Sequence, residues 1–314
     1  MWSIVLAATI ERSYISGMLP TLRQLQYLKL LAEHGSFSRA AEAAHVTQPT
    51  LSAGVQELEK ILGGPVVERG RAGIILTPTG REAVARAADI LARAEDLVQA
   101  AKSAGQPLAG RFRLGVIPSI APFLLPRALP ALRARFPRLR LFLREDQTHK
   151  LIAALKAGAL DAALMALPYD VGGLETAAVA DDELLAALPA NHPLLGSDPI
   201  QPEQLQGDDL ILLEDGHCLR EHVLGACRIE APKPSDDGGF TATSLPTLVQ
   251  MVGSGLGVSF LPAMAVEAGL AEDAPIAIRR VAAEHPRRQI VVAWRAGSSR
   301  GAEGRLLAET LRGV

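Results

Sequence analysis

Near the start of the chain, apolar residues recur at helical spacing in successive blocks. In the first block Leu22 and Leu25 begin one helix face, and the pattern stops near Gly35. The second block is short and rich in alanine, and Ser36 or Ser38 can cap it. The pattern predicts two helices joined by a tight turn, with a third helix close behind them.

The third block predicts a helix whose N-cap is Thr47 and whose first turn contains Pro49. Its apolar residues, spaced by four, three and four positions, predict a buried face: Leu51, Val55, Leu58 and Leu62. Its open side then carries polar residues: Gln48, Thr50, Ser52 and Gln56. Small hydroxyls and amides at a helix start can reach base edges in the DNA major groove, so the three blocks predict a helix-turn-helix.

Two short β-like runs, 65–68 and 74–77, follow the third helix, with Arg69, Gly70, Arg71 and Gly73 between them. They predict a hairpin wing whose tip carries two arginines placed for backbone phosphates. The full set of predicted DNA contacts is Ser36, Arg39, Thr47, Gln48, Pro49, Thr50, Ser52, Gln56, Arg69 and Arg71.

Pro78 opens a helix predicted to run to about Ser103, roughly 39 Å at 1.5 Å per residue. Its apolar residues are spaced 3-4-3-4-3, which is a heptad seam: Val84, Ala87, Leu91, Ala94, Val98 and Ala101. A seam this long and narrow favours pairing of two subunits, and the alternative is an ordinary core helix.

Beyond a predicted hinge at Gly105, Gln106, Pro107 and Gly110, apolar runs alternate with helical patterns. This order predicts βαβαβ with a parallel sheet, and a second α/β set follows. The fold class is therefore α/β: a winged helix-turn-helix with a long linker helix, then two α/β subdomains around a cleft, as in periplasmic binding proteins. The predicted boundaries are an appendage at 1–17, a DNA-binding domain at 18–78, a linker helix at 79–104, and a regulatory domain at 105–314 (subdomain I about 111–180 and 284–314, subdomain II about 181–283).

Composition excludes little. The 314 residues are 48% hydrophobic and 21% charged, which is ordinary for a globular protein, and a net charge of −2 is compatible with DNA binding because only the docking face must be basic. The apolar stretch from Trp2 to Ile10 lacks the basic region and the cleavage site of a signal peptide. Since the chain has no run long enough to span a membrane, a cytoplasmic location is expected.

Only two cysteines are present, Cys218 and Cys227. A structural disulfide is not expected in a reducing compartment, so the simplest interpretation is two buried thiols. The spacing of these cysteines and of His217 and His222 does not fit structural zinc, and neither a metal nor a cofactor is predicted.

The chain from Met18 resembles the LysR-type transcription regulators. The resemblance rests on QYLKLLAEHGSFSRAAEAAHVTQPTLSAGVQELEKILG, on VVERG and LTPTG, and on the hinge and α/β domain. It implies binding of double-stranded DNA by paired winged helix-turn-helix units, a homotetramer, and contact with RNA polymerase.

Four further segments resemble the peroxide-sensing OxyR subfamily: IPSIAPFLLP, EDQTHKL, LEDGHCLREHVLGAC and TATSLPTLVQMV. This resemblance implies that hydrogen peroxide oxidises Cys218, that Cys227 resolves the product as a disulfide, and that a cellular reductant restores the thiols. It implies control of antioxidant genes. The implied peroxide pocket comprises Ser119, Thr148, His217, Arg220, Glu221 and Arg288, with serine and glutamate where relatives more often have threonine and aspartate at 119 and 221.

Asp215, Gly216 and His217 indicate a turn into a helix that begins at Cys218. A helix N-terminus, with Arg220 or His217 nearby, is expected to lower the pKa of the thiol. A helical separation of nine positions would place the cysteines roughly 13.5 Å apart, whereas a disulfide needs Cα atoms within about 7 Å. Disulfide formation would therefore require this helix to unravel.

Two other functions remain open. One is a LysR-type regulator that binds a small metabolite in the cleft, with incidental cysteines. The other is a thiol peroxidase, against which the DNA-binding half argues. The favoured prediction is a regulator, not an enzyme.

Overall fold

The computed structural model describes residues 19–70, 73–102, 107–205, 210–227, 241–282 and 286–314. The chain divides into two compact units, the first ending at Val98 and the second beginning at Gln99. The proposed appendage at 1–17 and hinge residues 105 and 106 lie outside the described residues. The domain boundaries given above stay predictions.

The first unit contains the three predicted helices: α1 (Leu22–His34), α2 (Phe37–Ala43) and α3 (Gln48–Leu62). Helix α1 begins with a capping box between Thr21 and Gln24 and ends at Gly35, which has φ 65°. Thr47 caps α3 by accepting a hydrogen bond from the N–H of Thr50. Two details differ from expectation. Ser36 stands at the N-cap of α2 without a side-chain cap bond, and Leu62, the last residue of α3, is 40% exposed.

The wing is an antiparallel pair, β1 (Val67–Gly70) and β2 (Gly73–Leu76). The sequence predicted a longer tip, but the strands pair as far as Gly70 and Gly73, so Arg69 belongs to β1. Arg71 lies outside the described residues, as does the side chain of Arg69.

Helix α4 (Pro78–Lys102) confirms the long linker helix. Its first half packs on the helix-turn-helix core through Ala87, with Val84 and Leu91 partly buried. Three other apolar residues of α4 are exposed, namely Ile90, Leu97 and Val98 at 43%, 73% and 49%. One face of the helix therefore packs on the core of this unit, and another face carries exposed apolar residues.

Gly80 occupies the first turn of α4 directly against the backbone of Val66, where an added Cβ would lie 1.9 Å from the carbonyl oxygen. The same turn is fixed by Thr77, whose hydroxyl donates to Pro65 O and accepts from Gly80 N. This is a close approach of two backbones that only glycine permits.

Gly80→Ala is therefore expected to destabilise the first unit by about 3 kcal/mol, because a backbone contact cannot yield as a side chain can. Thermal unfolding followed by circular dichroism, together with DNA binding, measures the effect. Gly64→Ala is the matched control, since nothing lies within 4 Å of its added Cβ. Equal melting of the two variants would contradict the prediction.

The second unit begins with the predicted βαβαβ order. Its elements are β3 (Gly110–Val116), α5 (Ala121–Arg135), β4 (Leu139–Glu145), α6 (Thr148–Lys156), β5 (Ala162–Leu167), β6 (Leu174–Pro189), β7 (Leu212–Leu213), α7 (Cys218–Cys227), β8 (Thr241–Ala242), α8 (Leu245–Gly253), β9 (Ser259–Pro262), α9 (Ala263–Glu267), β10 (Ile276–Arg279), β11 (Arg287–Arg295) and α10 (Gly301–Leu311), with short 3-10 turns at Pro193–Gly196 and Pro202–Leu205.

These strands form a seven-stranded sheet in the order β10-β6-β11-β5-β3-β4, with β9 also paired to β6. Strand β3 is parallel to β4 and β5, which confirms the parallel sheet predicted for the first set. The returning strand β11 is antiparallel to both β5 and β6. Strands β7 and β8 form a separate parallel pair.

Two apolar clusters fill the second unit. One surrounds β3, β5 and β11 and contains Cys218; the other surrounds the end of β6, α8 and β9 and contains Leu219 and Val223. Helix α7 thus begins at the junction of the two clusters, with consecutive residues belonging to different ones.

A buried ionic group anchors the start of the second unit. The N–H of Leu108, a residue that is 1% exposed, donates to Glu303 Oε1 at 2.9 Å, and Glu303 also pairs with Arg300. Asp161 pairs with Arg113 at 2.9 Å. Paired in this way, these charges can be buried without a large penalty.

Candidate functional site

The predicted DNA-contacting residues of the first unit cluster around the start of α3. Thr47, Gln48, Pro49 and Thr50 are exposed, and the hydroxyls of Thr47 and Thr50 lie 2.8 Å apart. Gln56 and Arg39 are also exposed, whereas Ser36 and Ser52 are half-buried. The buried face of α3 (Leu51, Val55, Leu58) points the other way. The first unit therefore presents a polar helix start suited to base edges.

In the second unit, Cys218 is the first residue of α7 and is only 3% exposed. It follows a turn in which Gly216 has φ +94° and lies against the amide of Gln147, 3.0 Å from where a Cβ would stand. A pocket beside the thiol is too narrow to admit a water molecule. Its lining residues are Ile117, Pro118, Ser119, Gln147, Thr148, Gly216, His217, Cys218 and Leu219.

Arg288 supplies the positive charge beside this pocket. Its side chain is fully buried and pairs with Asp182 at 2.9 Å. It also donates to Ser119 Oγ at 2.6 Å and to Ser119 O at 3.0 Å. Arg288 is not part of the pocket lining, so it acts on the thiol through its charge and through Ser119.

The pKa of Cys218 moves in the direction opposite to the prediction. Burial raises the pKa of the thiol above its usual value. Thr148, the charge of Arg288, and the N–H groups of Cys218 and Leu219 act against burial and lower the pKa, but they do not offset it. The helix start behaves as predicted; what the sequence did not reveal is how completely this thiol is removed from water.

Thr148 is the first residue of α6 and is 1% exposed. Among the described residues its hydroxyl has no hydrogen-bond partner, although it is close enough to lower the pKa of Cys218. These observations agree if the hydroxyl faces the sulfur without forming a full hydrogen bond. The hydroxyl of Thr148 can therefore donate a hydrogen bond to negative charge on the sulfur.

The remaining predicted pocket residues differ in their roles. His217 lines the pocket, and burial lowers the pKa of its ring while Glu214 raises it, so His217 is neutral near pH 7. Arg220 pairs with Asp215 at 3.2 Å instead of facing the thiol. Glu221 is exposed. Neither Arg220 nor Glu221 lines the pocket.

Two buried residues near the thiol were missed from the sequence. Asp182, the partner of Arg288, stands opposite it across β6 and β11, a pairing that no local pattern shows. His222 is 3% exposed, and its Nε2 lies 2.9 Å from Pro168 O. Burial and the charge of Arg288 lower the pKa of His222 to about 4, while the bond to Pro168 raises it. Its position four residues after Cys218 was the available signal.

The cysteines stand at opposite ends of the intact helix α7. Ten helical residues place their Cα atoms roughly 13.5 Å apart along the axis, well beyond the reach of a disulfide. The side chain of Cys227 lies outside the described residues.

In the ranges described, no helix combines the length and the apolar character needed to cross a bilayer. No group of three or more His, Cys, Asp and Glu residues within these ranges is arranged to hold a metal ion.

A winged helix-turn-helix followed by a two-cluster α/β unit defines a class of DNA-binding transcription regulators. Residues 22–81 match the family described as "Bacterial regulatory helix-turn-helix protein, lysR family", and residues 105–314 match "LysR substrate binding domain". The chain belongs to the LysR family of transcription regulators.

The chain is similar in sequence to two named regulators and in fold to a solved structure. It is 44% identical over 248 residues to the HTH-type transcriptional regulator EstR of Acinetobacter baylyi, covering 79% of this chain and 81% of that protein. It is 38% identical to the hydrogen peroxide-inducible genes activator of Escherichia coli O6:H1, covering 93% and 94%. The solved structure of a full-length OxyR variant from Pseudomonas aeruginosa superposes with a TM-score of 0.74 at 36% identity, covering 94% and 98%.

Proposed function

We propose that this regulator senses hydrogen peroxide through Cys218. The thiol reduces peroxide, giving a sulfenic acid and one molecule of water; the thiol of Cys227 then attacks that sulfur, forming a disulfide and releasing a second water. The observation that carries the proposal is the placement of Cys218: a buried thiol at a helix start, in a narrow pocket, beside the charge of Arg288.

The narrowness of the pocket favours a very small oxidant. Since the pocket is too narrow for a water molecule, a small oxidant such as peroxide needs less side-chain movement to reach the sulfur than a larger molecule does. The flanking hydroxyls of Ser119 and Thr148 can hydrogen-bond to the two oxygens of peroxide. A metabolite of ordinary size would require much larger rearrangement of this region.

The raised pKa of Cys218 keeps the resting thiol protonated and unreactive toward general oxidants. Arg288 and Thr148 stabilise negative charge that develops on sulfur during attack. Reactivity in this proposal therefore depends on the ordered pocket and not on a free thiolate.

Disulfide formation would convert the redox event into a conformational change. Helix α7 must unravel to bring the cysteines together, and Leu219 and Val223 would leave the second apolar cluster. We infer that this repacking alters how two dimers, each paired through α4, assemble into a tetramer. The altered tetramer would in turn control RNA polymerase at antioxidant genes. A cytoplasmic disulfide reductant would reverse it.

The experiment is a count of free thiols with disulfide mapping before and after a brief stoichiometric peroxide pulse. The expected result is loss of both thiols and a Cys218–Cys227 peptide, with a sulfenic acid trapped in Cys227→Ser and no reaction in Cys218→Ser. Survival of both thiols at low-micromolar peroxide would refute the proposal.

A second candidate is a regulator that responds to a small metabolite, and the match of residues 105–314 to the LysR substrate binding domain supports it. The two candidates differ in one measurement. Peroxide-dependent transcription from a target promoter disappears in Cys218→Ser under the first, whereas induction by a metabolite survives the same substitution under the second.

A further inference from the structure

His222 is a buried, neutral histidine one helical turn after the reactive cysteine. It lies on α7 four residues beyond Cys218, and residues four apart on a helix have Cβ atoms about 5–6 Å from each other. Side chains of a helix lean toward its N-terminus, over the preceding turn. The imidazole of His222 is therefore expected to lean toward the turn that contains Cys218.

The hydrogen bonding of His222 fixes which nitrogen can accept a proton. Its Nε2 lies 2.9 Å from Pro168 O, and a carbonyl oxygen can only accept, so Nε2 carries the hydrogen. The neutral ring then has its lone pair on Nδ1. Within the described part of the chain, this buried Nδ1 has no hydrogen-bond partner. An unsatisfied buried acceptor one helical turn from a protonated thiol calls for an explanation.

We propose that Nδ1 of His222 is the general base for oxidation of Cys218. As sulfur attacks one peroxide oxygen and the O–O bond breaks, the thiol proton moves to Nδ1. The imidazolium then gives that proton to the departing hydroxide, so that sulfenic acid and water form and His222 returns to its neutral state. This role rests on the proposed peroxide function, and it assigns a second reacting group to the site.

Burial, followed by the charge of Arg288, makes His222 a weak base. Arg288 of β11 lies near both His222 and Cys218, and its charge is partly balanced by Asp182 of β6. Tyr169, after β5, is near Cys218, Glu221 and Asp170, and burial followed by these groups raises its pKa, so it is neutral. Since the pKa of His222 is about 4, its ring stays unprotonated throughout the physiological pH range.

A pH profile separates this role from a structural one. With His222 as the base, the second-order rate constant for oxidation of full-length protein should change less than about twofold between about pH 5.5 and 8. Without an internal base, oxidation would depend on the small thiolate fraction, and the rate would rise about tenfold per pH unit because the pKa of Cys218 is raised. The wild-type profile alone therefore tests the proposal.

His222→Gln is the decisive variant, because glutamine can still donate to Pro168 O but is not a base at these pH values. It is expected to react about 100-fold more slowly near pH 6 and to regain rate with rising pH. His149→Gln, which changes an exposed histidine of α6 that does not line the pocket, should keep the flat profile. Stopped-flow oxidation followed by trapping of the sulfenic acid gives the rates, and circular dichroism confirms the helix.

The outcomes distinguish the two proposals. Oxidation of His222→Gln at the wild-type rate with a flat profile, or a wild-type rate that already climbs tenfold per pH unit, overturns the role of His222 alone. Failure of wild-type protein to react with peroxide at any of these pH values overturns the proposed function and this role together.

Discussion

Replacing Arg288 with methionine is expected to lower the free energy of unfolding by about 3–5 kcal/mol and to slow oxidation of Cys218 about 100-fold. The guanidinium is fully buried and neutralises Asp182 at 2.9 Å, so its loss leaves a carboxylate uncompensated in the interior. The same loss removes a charge that lowers the pKa of Cys218, and the thiol becomes still harder to ionise. Chemical denaturation and stopped-flow oxidation measure the two effects.

A second substitution separates stability from reactivity. Asp182 also accepts the N–H of Met264 at 2.9 Å, and asparagine can keep that bond while removing the charge. The double variant Arg288→Met with Asp182→Asn should therefore recover most of the lost stability but remain slow toward peroxide. If it regained the wild-type oxidation rate, Arg288 would have only a structural role.

Leu97→Glu on α4 is expected to weaken subunit pairing and to reduce affinity for a two-half-site operator by about 10² to 10⁴-fold. Leu97 is 73% exposed and shares its helix face with Ile90, so this stripe is apolar surface that the described residues of its unit leave uncovered. A charge there would be buried on pairing without a partner. Two linked DNA-binding units bind far more tightly than one, which explains the size of the expected loss.

Sedimentation velocity and fluorescence anisotropy at fixed salt test this prediction. Ala85→Glu is the matched control, because Ala85 is exposed on the same helix but lies away from the Ile90 and Leu97 face. An unchanged sedimentation coefficient and unchanged operator affinity in Leu97→Glu would show that this stripe does not hold subunits together.

The periodicity of apolar residues predicted the helices well because burial on one face is a local property of the sequence. It placed α4 within one residue of its observed end and identified Thr47 as a cap. The periodicity was wrong at the end of α3, where Leu62 continues the apolar spacing but is 40% exposed. It also misplaced the wing turn, since alternation does not reveal how far two strands stay paired.

The residues of the pocket could be predicted from the sequence, but the pKa of the thiol could not. Cys218, Ser119, Thr148 and His217 were identified from the sequence, and the structure gathers them in one pocket. The direction of the pKa of Cys218 was wrong because a helix start is visible in sequence whereas the depth of burial is not. The Arg288–Asp182 pair joins residues separated by 106 positions, and only the sheet brings them together.

The placement of Cys218 in one apolar cluster and of Leu219 in the other has a consequence for how such a regulator can diverge. In the proposed switch, opening of α7 would break packing in both clusters, so loss of a methylene far from the sulfur would change the population of the open helix. Because about 1.4 kcal/mol is a tenfold change in that population, ordinary core substitutions can reset the peroxide threshold. Lineages exposed to different peroxide levels could thus adapt the sensor while every residue that touches the oxidant stays the same.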